Sequence, residues 1–285
     1  MCVACCAPSN VSRARSLLRG MESKMKLQEK KLFLLDMDGT IYLGNRLFPE
    51  TKGFLEHIKN LGGQYIFFTN NTSKDINRYV EKLLSMGIFT TPNDIITPTQ
   101  VVAKYLLKKY DNKKIYAFGT TAFQEELTTA KLNITTKLED SISCLVMAFD
   151  TELTFEKLND ACILLSRGID YIATNPDLVC PTEYGYVPDC GSVSIMLKNA
   201  TGREPKFFGK PNPEMVYLAL ERTGISKAET IIIGDRLYTD INCGINAGID
   251  TALVLSGETK KEDVTLSPHK PTYVFETIGE LKMQL

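Results

Sequence analysis

Three short apolar runs, each stopped by polar residues or glycine, constrain this chain more than any other feature. They are Leu32 to Leu35 before Asp36, Tyr65 to Phe68 before Thr69, and Ile231 to Ile233 before Gly234 and Asp235. A short continuous apolar run bounded by turn signals reads as a strand buried on both faces, and such strands belong to parallel sheets covered by helices. Between the runs lie helical patterns at three- and four-residue spacing: Ile76, Tyr79, Val80, Leu83 and Leu84 before Gly87, and Met215, Val216, Leu218 and Ala219 before Gly224. Strands alternating with helices predict an α/β fold with a doubly wound parallel sheet. Ligands of such sheets bind beyond the carboxyl ends of the strands. The residues that stop the three runs are therefore predicted to meet in one crevice.

From about Pro98 to Pro205 the alternation repeats, with strand-like Ile115 to Phe118, Cys144 to Phe149 and Tyr171 to Thr174, and helix-like Phe155 to Arg167 and Val193 to Asn199. A stretch of about 110 residues can hold a core of its own, and polar-ended strands lie on both sides of it. The expected organisation is a core built from residues 31–97 and 206–285, an inserted α/β cap domain at 98–205, and a flexible N-terminal extension at 1–30. The extension is polar, rich in Arg and Lys, and contains Met21 and Met25 as alternative starts.

Composition narrows the chemistry. Among 285 residues, 33 Lys and Arg against 34 Asp and Glu leave almost no net charge, which argues against a nucleic-acid polymer as partner. No segment approaches the roughly 20 apolar residues that a bilayer crossing needs, and the N-terminal segment lacks the apolar stretch of a secretory signal. A soluble, cytoplasmic protein is expected. His57 and His269 are the only histidines, and neither stands in a motif, so a Ser-His-Asp triad or a histidine-ligated zinc is not expected. Of the eight cysteines, Cys2, Cys5 and Cys6 form an incomplete ligand set, while Cys144 and Cys162 fall in apolar runs as core fillers. Catalysis is left to carboxylates, Lys, Thr or Cys.

Four polar clusters close the apolar runs: Asp36-Met37-Asp38-Gly39-Thr40, Thr69-Asn70-Asn71-Thr72-Ser73, Gly209-Lys210-Pro211, and Gly234-Asp235-Arg236-Leu237-Tyr238-Thr239-Asp240. Singly, each reads as a turn or a helix cap. Together they would focus four carboxylates, an ammonium and a hydroxyl on one crevice. Two like charges about 4 Å apart cost roughly 4 kcal/mol at an effective dielectric of about 20, and one Lys cannot offset four acids. A hard divalent cation with oxygen ligands would, and Mg²⁺ is the usual choice where carboxylates work with substrate phosphate. The hydroxyl, the backbone amides at a helix start and the Lys suit a phosphoryl group. The chemistry read from these residues is Mg²⁺-assisted phosphoryl transfer with a carboxylate as nucleophile.

Through DMDGT at Asp36 to Thr40, Thr69, Lys210 and GDRLYTD at Gly234 to Asp240, the chain resembles the haloacid dehalogenase superfamily. The insert between Thr69 and Lys210, with FTNNTS, ATNPD and GKPNP, is similar to that of subfamily IIA, the NagD-like or para-nitrophenylphosphatase branch. The resemblance covers about residues 30 to 285. It implies that Asp36 attacks phosphorus and becomes an aspartyl phosphate, and that Asp38 protonates the leaving oxygen and then deprotonates water. It implies that Thr69 and the amide of Asn70 hold phosphoryl oxygens and that Lys210 neutralises charge. Mg²⁺ would be held by the Asp36 side chain, the Asp38 backbone carbonyl and the Asp235 side chain, with Asp240 behind them.

The expected function is thus a Mg²⁺-dependent phosphatase of small phosphomonoesters, nucleotide or sugar phosphates. The same groups would serve an aspartate-phosphorylated switch or a non-catalytic phosphate-binding regulatory protein. The second acid Asp38 and the cap-sized insert weigh against the switch, and the complete acid-base set weighs against lost catalysis. Substrate choice falls to the cap, where Asn175-Pro176-Asp177 and Asp189-Cys190-Gly191-Ser192 could face the crevice. Asp177 is the residue expected to read substrate, with turn and helix-cap chemistry as the plainer alternative. A homodimer through the cap is left open.

Overall fold

The computed structural model describes residues 26–182 and 184–285. The expectations for Cys2, Cys5, Cys6 and the alternative starts at Met21 and Met25 lie outside the described residues.

The three apolar runs form three adjacent strands of one sheet. Leu32–Asp36 lies between Gln64–Phe68 and Thr230–Gly234, with Leu34 in register with Ile66 on one side and Ile232 on the other. Asp250–Val254 and Tyr273–Phe275 extend the sheet beyond Thr230–Gly234, and Ile95–Ile96 extends it beyond Gln64–Phe68. Every pairing is parallel.

Side chains alternate between the two faces, as the strand period demands. Leu32 and Leu34 pack with Ile66, Phe68 and Ile232 on one face, and Phe33 and Leu35 with Tyr65, Phe67, Ile231 and Ile233 on the other. Burying such side chains contributes about 1.5–3 kcal/mol each. From Leu32–Asp36 the chain winds first toward Gln64–Phe68 and later, on the other side, toward Thr230–Gly234. The direction of winding therefore reverses at the carboxyl end of Leu32–Asp36, the place where doubly wound sheets hold ligands.

A second sheet, also fully parallel, runs in the order Lys206–Phe207, Asp170–Ala173, Ile142–Met147, Lys114–Phe118, Ile134–Thr135. Lys206–Phe207, read from sequence as part of the first unit, is its edge strand. Helices Phe155–Ser166 and Cys190–Thr201 cover one face, where Ala161, Leu164, Leu165, Val193 and Leu197 bury Tyr116, Phe118, Leu145 and Met147.

The opposite face has no core of its own. Ile115, Ala117, Cys144, Val146 and Ile172 join Val101, Val102 and Leu106 of helix Pro98–Lys109 and Met215, Val216 and Ala219 of helix Glu214–Thr223 in one cluster that continues into the first sheet. The insert is thus self-sufficient on one face only, because helix Pro98–Lys109 presents apolar residues to both sheets.

An antiparallel hairpin, Val179–Thr182 with Gly185–Pro188, was not read from sequence. It follows strand Asp170–Ala173 and forms a two-stranded sheet of its own. Among the described residues no helix is long and apolar enough to cross a membrane.

Candidate active site

The turn after Leu32–Asp36 sends Met37 into the core at 1% exposure, leaving Asp36 and Asp38 half-buried at the sheet end. Gly39 N–H donates to Tyr42 O at 2.7 Å and Ile41 N–H to Met37 O at 3.0 Å, closing the turn. Gly39 adopts φ +91°, and a Cβ there would stand 2.5 Å from Asp235 Oδ2. Glycine is required on both counts, by the left-handed backbone and by the close approach of the Asp36 turn to Asp235.

Lys210 brings the acids together. It is 2% exposed, and its Nζ lies 2.5 Å from Asp36 Oδ1 and 2.6 Å from Asp240 Oδ1. Asp240 Oδ2 accepts from Arg236 N–H at 3.1 Å. Each Asp240 oxygen thus has a partner, one in Lys210 and the other in the Arg236 backbone. A single π turn, Leu237–Ile241, sets Asp240 in this position. Such turns recur at functional sites.

Asp235 is 2% exposed. Its Oδ2 accepts from Glu258 N–H at 2.7 Å, while its Oδ1 is buried with no hydrogen-bond partner. A Cβ at Gly257 would lie 2.0 Å from Asp235 Oδ2.

Oxygens of Asp36, Asp235 and Asp240 lie within 4.8 Å of one another. Burial, followed by the Asp240 charge, pushes the Asp36 carboxyl up to about 6 against the pull of Lys210. Burial and the charges of Asp36 and Asp240 push Asp235 well above the usual carboxylate range. For Lys210, burial alone would lower the pKa, but Asp240 and Asp36 outweigh it and raise it. An orphaned carboxylate oxygen among acids that one ammonium cannot neutralise fits a hard divalent cation. The Asp38 side chain stands outside this acid cluster, where it accepts a long 3.4 Å bond from Gly44 N–H.

Thr69 and Asn70 stand at the end of the neighbouring strand, as expected. Thr69 Oγ accepts from Asn71 N–H at 3.2 Å. The Asn70 side chain grips both sides of the Lys210 backbone, accepting from its N–H at 2.8 Å and donating to its C=O at 2.9 Å. Asn70 Nδ2 also faces Asp177, and Asn175 Nδ2 donates to Asn70 O at 2.8 Å. Gly209 N–H donates to Thr174 O at 2.6 Å. The Thr69–Asn70 corner, the Lys210 loop and the end of strand Asp170–Ala173 are therefore interlocked.

Asp189 caps helix Cys190–Thr201, with its Oδ1 2.5 Å from Cys190 N, and burial pushes its carboxyl up to about 7. The plainer helix-cap reading of Asp189 describes its bonding, although it also lines the cleft.

These groups open into a cleft of about 610 Å³ between the sheets. Asp36, Asp38, Thr69, Asn70, Asp177 and Lys210 all reach it, whereas Asp235 and Asp240 stand behind its floor. Sequence reasoning gave no role to Tyr42, Lys74, Lys82 or Arg236, which also line it. Arg236 lies inside the quoted GDRLYTD stretch. Nothing in the sequence distinguished Lys82 from an ordinary solvated helix lysine. Burial lowers the Lys82 pKa, Asp38 pulling it up and Lys74 adding to the fall. Neither His57 nor His269 lines the cleft.

A carboxylate at the switch point of a parallel sheet, clamped by a buried lysine and backed by two further acids, defines a hydrolase class. The model of haloacid dehalogenase-like hydrolases matches residues 33–133, and a second HAD-hydrolase-like model matches residues 207–281. The chain belongs to the haloacid dehalogenase-like hydrolases, as a phosphatase of their NagD-like branch.

Among its relatives is the acid sugar phosphatase of Staphylococcus aureus, 33% identical over 259 residues, covering 91% of this chain and 99% of that protein. The 4-nitrophenylphosphatase of Thermotoga maritima superposes with a TM-score of 0.86 at 40% identity, over 90% of this chain and 98% of that one. A glycerol phosphate phosphatase of Mycobacterium tuberculosis, solved in complex with magnesium, superposes with a TM-score of 0.84 at 26% identity, over 90% of this chain and 78% of that one.

Proposed function

We propose that this protein hydrolyses small phosphomonoesters through an aspartyl phosphate on Asp36, with Mg²⁺ as cofactor. The observation that carries the reading is the Asp36 carboxylate, held by Lys210 at the floor of a cleft large enough for a small metabolite and backed by the orphaned Asp235 oxygen. The mycobacterial relative, solved with magnesium and also with calcium, supports a divalent cation here.

Asp36 and Asp235, with the Asp38 backbone carbonyl, would hold the ion, and Asp240 would fix Lys210 beside them. Bound there, Mg²⁺ would supply charge neutralisation, drawing the phosphoryl group toward the carboxylates. Asp36 attacks phosphorus with a carboxylate oxygen as the phosphorus–ester oxygen bond breaks, and Asp38 gives its proton to the departing alcohol. Water then attacks the same phosphorus, returns a proton to Asp38, and releases inorganic phosphate and the Asp36 carboxylate. Thr69 Oγ and the Asn70 backbone N–H hold phosphoryl oxygens, while Lys210 neutralises charge that moves from Asp36 to the phosphoryl group. Asn70 has a second task, because its side chain fixes the backbone from which Lys210 reaches Asp36.

The cleft argues against an aspartate-phosphorylated switch, which has no use for a walled chamber beside its acceptor. The unnamed parts of the substrate, sugar or nucleoside, would occupy that chamber. Phosphate release from para-nitrophenyl phosphate, measured with Mg²⁺ and after exhaustive chelation, tests the reading. Release that depends on Mg²⁺ is expected, and full activity after chelation would remove the metal from the account.

A further inference from the structure

Four cations line the cleft, and they are not equivalent. Lys210 is paired with Asp36 and Asp240, and Arg236 with Glu258 at 2.9 Å. Of the cleft's acids besides Asp36, Asp150 is paired with Lys157 at 2.7 Å, Asp177 faces Asn70, Asp189 caps helix Cys190–Thr201, and Asp38, whose charge acts most on Lys82, lies beyond ion-pair distance of it. Lys74 and Lys82 have no ion-pair partner within 4.0 Å among the described residues. Lys74 stands close enough to depress the Lys82 pKa, in the same direction as burial and against the pull of Asp38.

Lys82 is placed for a ligand rather than for bulk water. It stands one turn after Tyr79 on helix Ile76–Ser85, on the side of the helix that both residues present to the cleft. Its Nζ sits 3.9 Å from the centre of the Tyr42 ring, which is 2% exposed and lines the same wall. A helix lysine ordinarily extends its ammonium into solvent. Here the ammonium is half-buried on an aromatic face, a geometry that holds a cation in place without neutralising it.

We infer that Lys82, assisted by the exposed Lys74, forms an anion-binding wall of the cleft that holds Asp36, and that the substrate is a phosphomonoester carrying a second anionic group. That group is a carboxylate or a second phosphate. The inference rests on the phosphomonoesterase reading and deepens it, by placing acidic substrates ahead of neutral sugar phosphates. A charge-assisted contact of this kind contributes enough to change selectivity about tenfold or more.

The test compares kcat/KM for phosphoglycolate and phosphoglycerate, and separately for fructose bisphosphate, with that for glycerol phosphate and glucose phosphate. The parent enzyme is expected to favour at least one acidic class. Lys82→Met should lower the acidic-to-neutral ratio about tenfold or more, chiefly through KM, and Lys82→Glu should lower it further. The class whose ratio falls identifies the second anion.

An unchanged ratio in both variants, or an equal loss on every substrate, overturns the inference. The latter would mean that Lys82 acts on Asp38 or on the fold. If the parent releases phosphate from none of these compounds, nor from para-nitrophenyl phosphate, the phosphomonoesterase reading fails instead. Calorimetric titration of phosphoglycerate and glycerol phosphate into parent and Lys82→Met protein then still reads the wall. Selective weakening of phosphoglycerate supports it, and equal binding in both proteins refutes it.

Discussion

Asn70 Nδ2 lies 3.1 and 3.2 Å from the two carboxylate oxygens of Asp177, across the boundary between the two sheets. The same amide group donates to Lys210 O, so one side chain joins the insert to the loop that carries Lys210. Asp177 was expected from sequence to read substrate. It does line the cleft, but its carboxylate is engaged with Asn70.

Asp177→Ala should accordingly lower kcat/KM by a similar factor, about tenfold to a hundredfold, across nucleotide and sugar phosphates. A charge-assisted hydrogen bond contributes about 1.5–3 kcal/mol, and here it acts on the position of Lys210 rather than on one part of the substrate. A kinetic panel measures this directly. A change confined to one substrate class would restore Asp177 as a specificity residue.

Gly39→Ala should cut turnover more than a hundredfold with only a moderate loss of stability, about 1–3 kcal/mol. The added methyl group meets the Asp235 carboxylate on a backbone at φ +91° and must displace one acid relative to the other. Kinetics paired with urea unfolding checks it. Unchanged turnover would show that the Asp36–Asp235 spacing is not critical.

Metal and pH should be linked. The buried Asp36 carboxyl, at about 6 in the folded protein against an ordinary 3.8, makes the metal-free folded state bind more protons than the unfolded chain between those values. Stability of the metal-free protein should therefore fall as pH rises through that window. The raised carboxyl of Asp235 acts in the same direction. A divalent cation binds the ionised forms, so Mg²⁺ should raise Tm more at about pH 7.5 than at about pH 5. Calorimetry with EDTA and with Mg²⁺ at both pH values measures the difference. A larger gain at the lower pH would contradict the assignment of these acids to the metal.

Asp38→Asn should slow alkyl phosphates more than para-nitrophenyl phosphate, because only a poor leaving group needs the proton that Asp38 supplies. Comparing kcat on the two classes tests the role. Equal losses on both would take Asp38 out of it.

The sheet and its site were legible in the sequence because both obey short-range rules. A strand buried on two faces must be continuously apolar, as Leu32 to Leu35 and Ile231 to Ile233 are, and the residue that ends it is then fixed at the carboxyl end of the sheet. That logic located Asp36, Thr69 and Asp235. It did not locate hairpin Val179–Thr182 with Gly185–Pro188, whose half-exposed residues and two prolines give no apolar run. Nor could it show that Ile115 and Val146 share a core with Met215, since helix Pro98–Lys109 hides that continuity. Lys82 was invisible for a related reason. Its significance depends on Tyr42, which lies 40 positions away in the chain and beneath it in the fold.

The central claim is that Asp36 carries the phosphoryl group during turnover. Acid-quenching the enzyme at steady state with Mg²⁺ and substrate, then sequencing peptides by mass spectrometry, reads this directly. The account predicts one phosphoryl group on Asp36, labile at alkaline pH, and none in Asp36→Asn, which should also lose activity at least a thousandfold. A phosphoryl group on another residue, or an Asp36→Asn enzyme within tenfold of the parent, would contradict it.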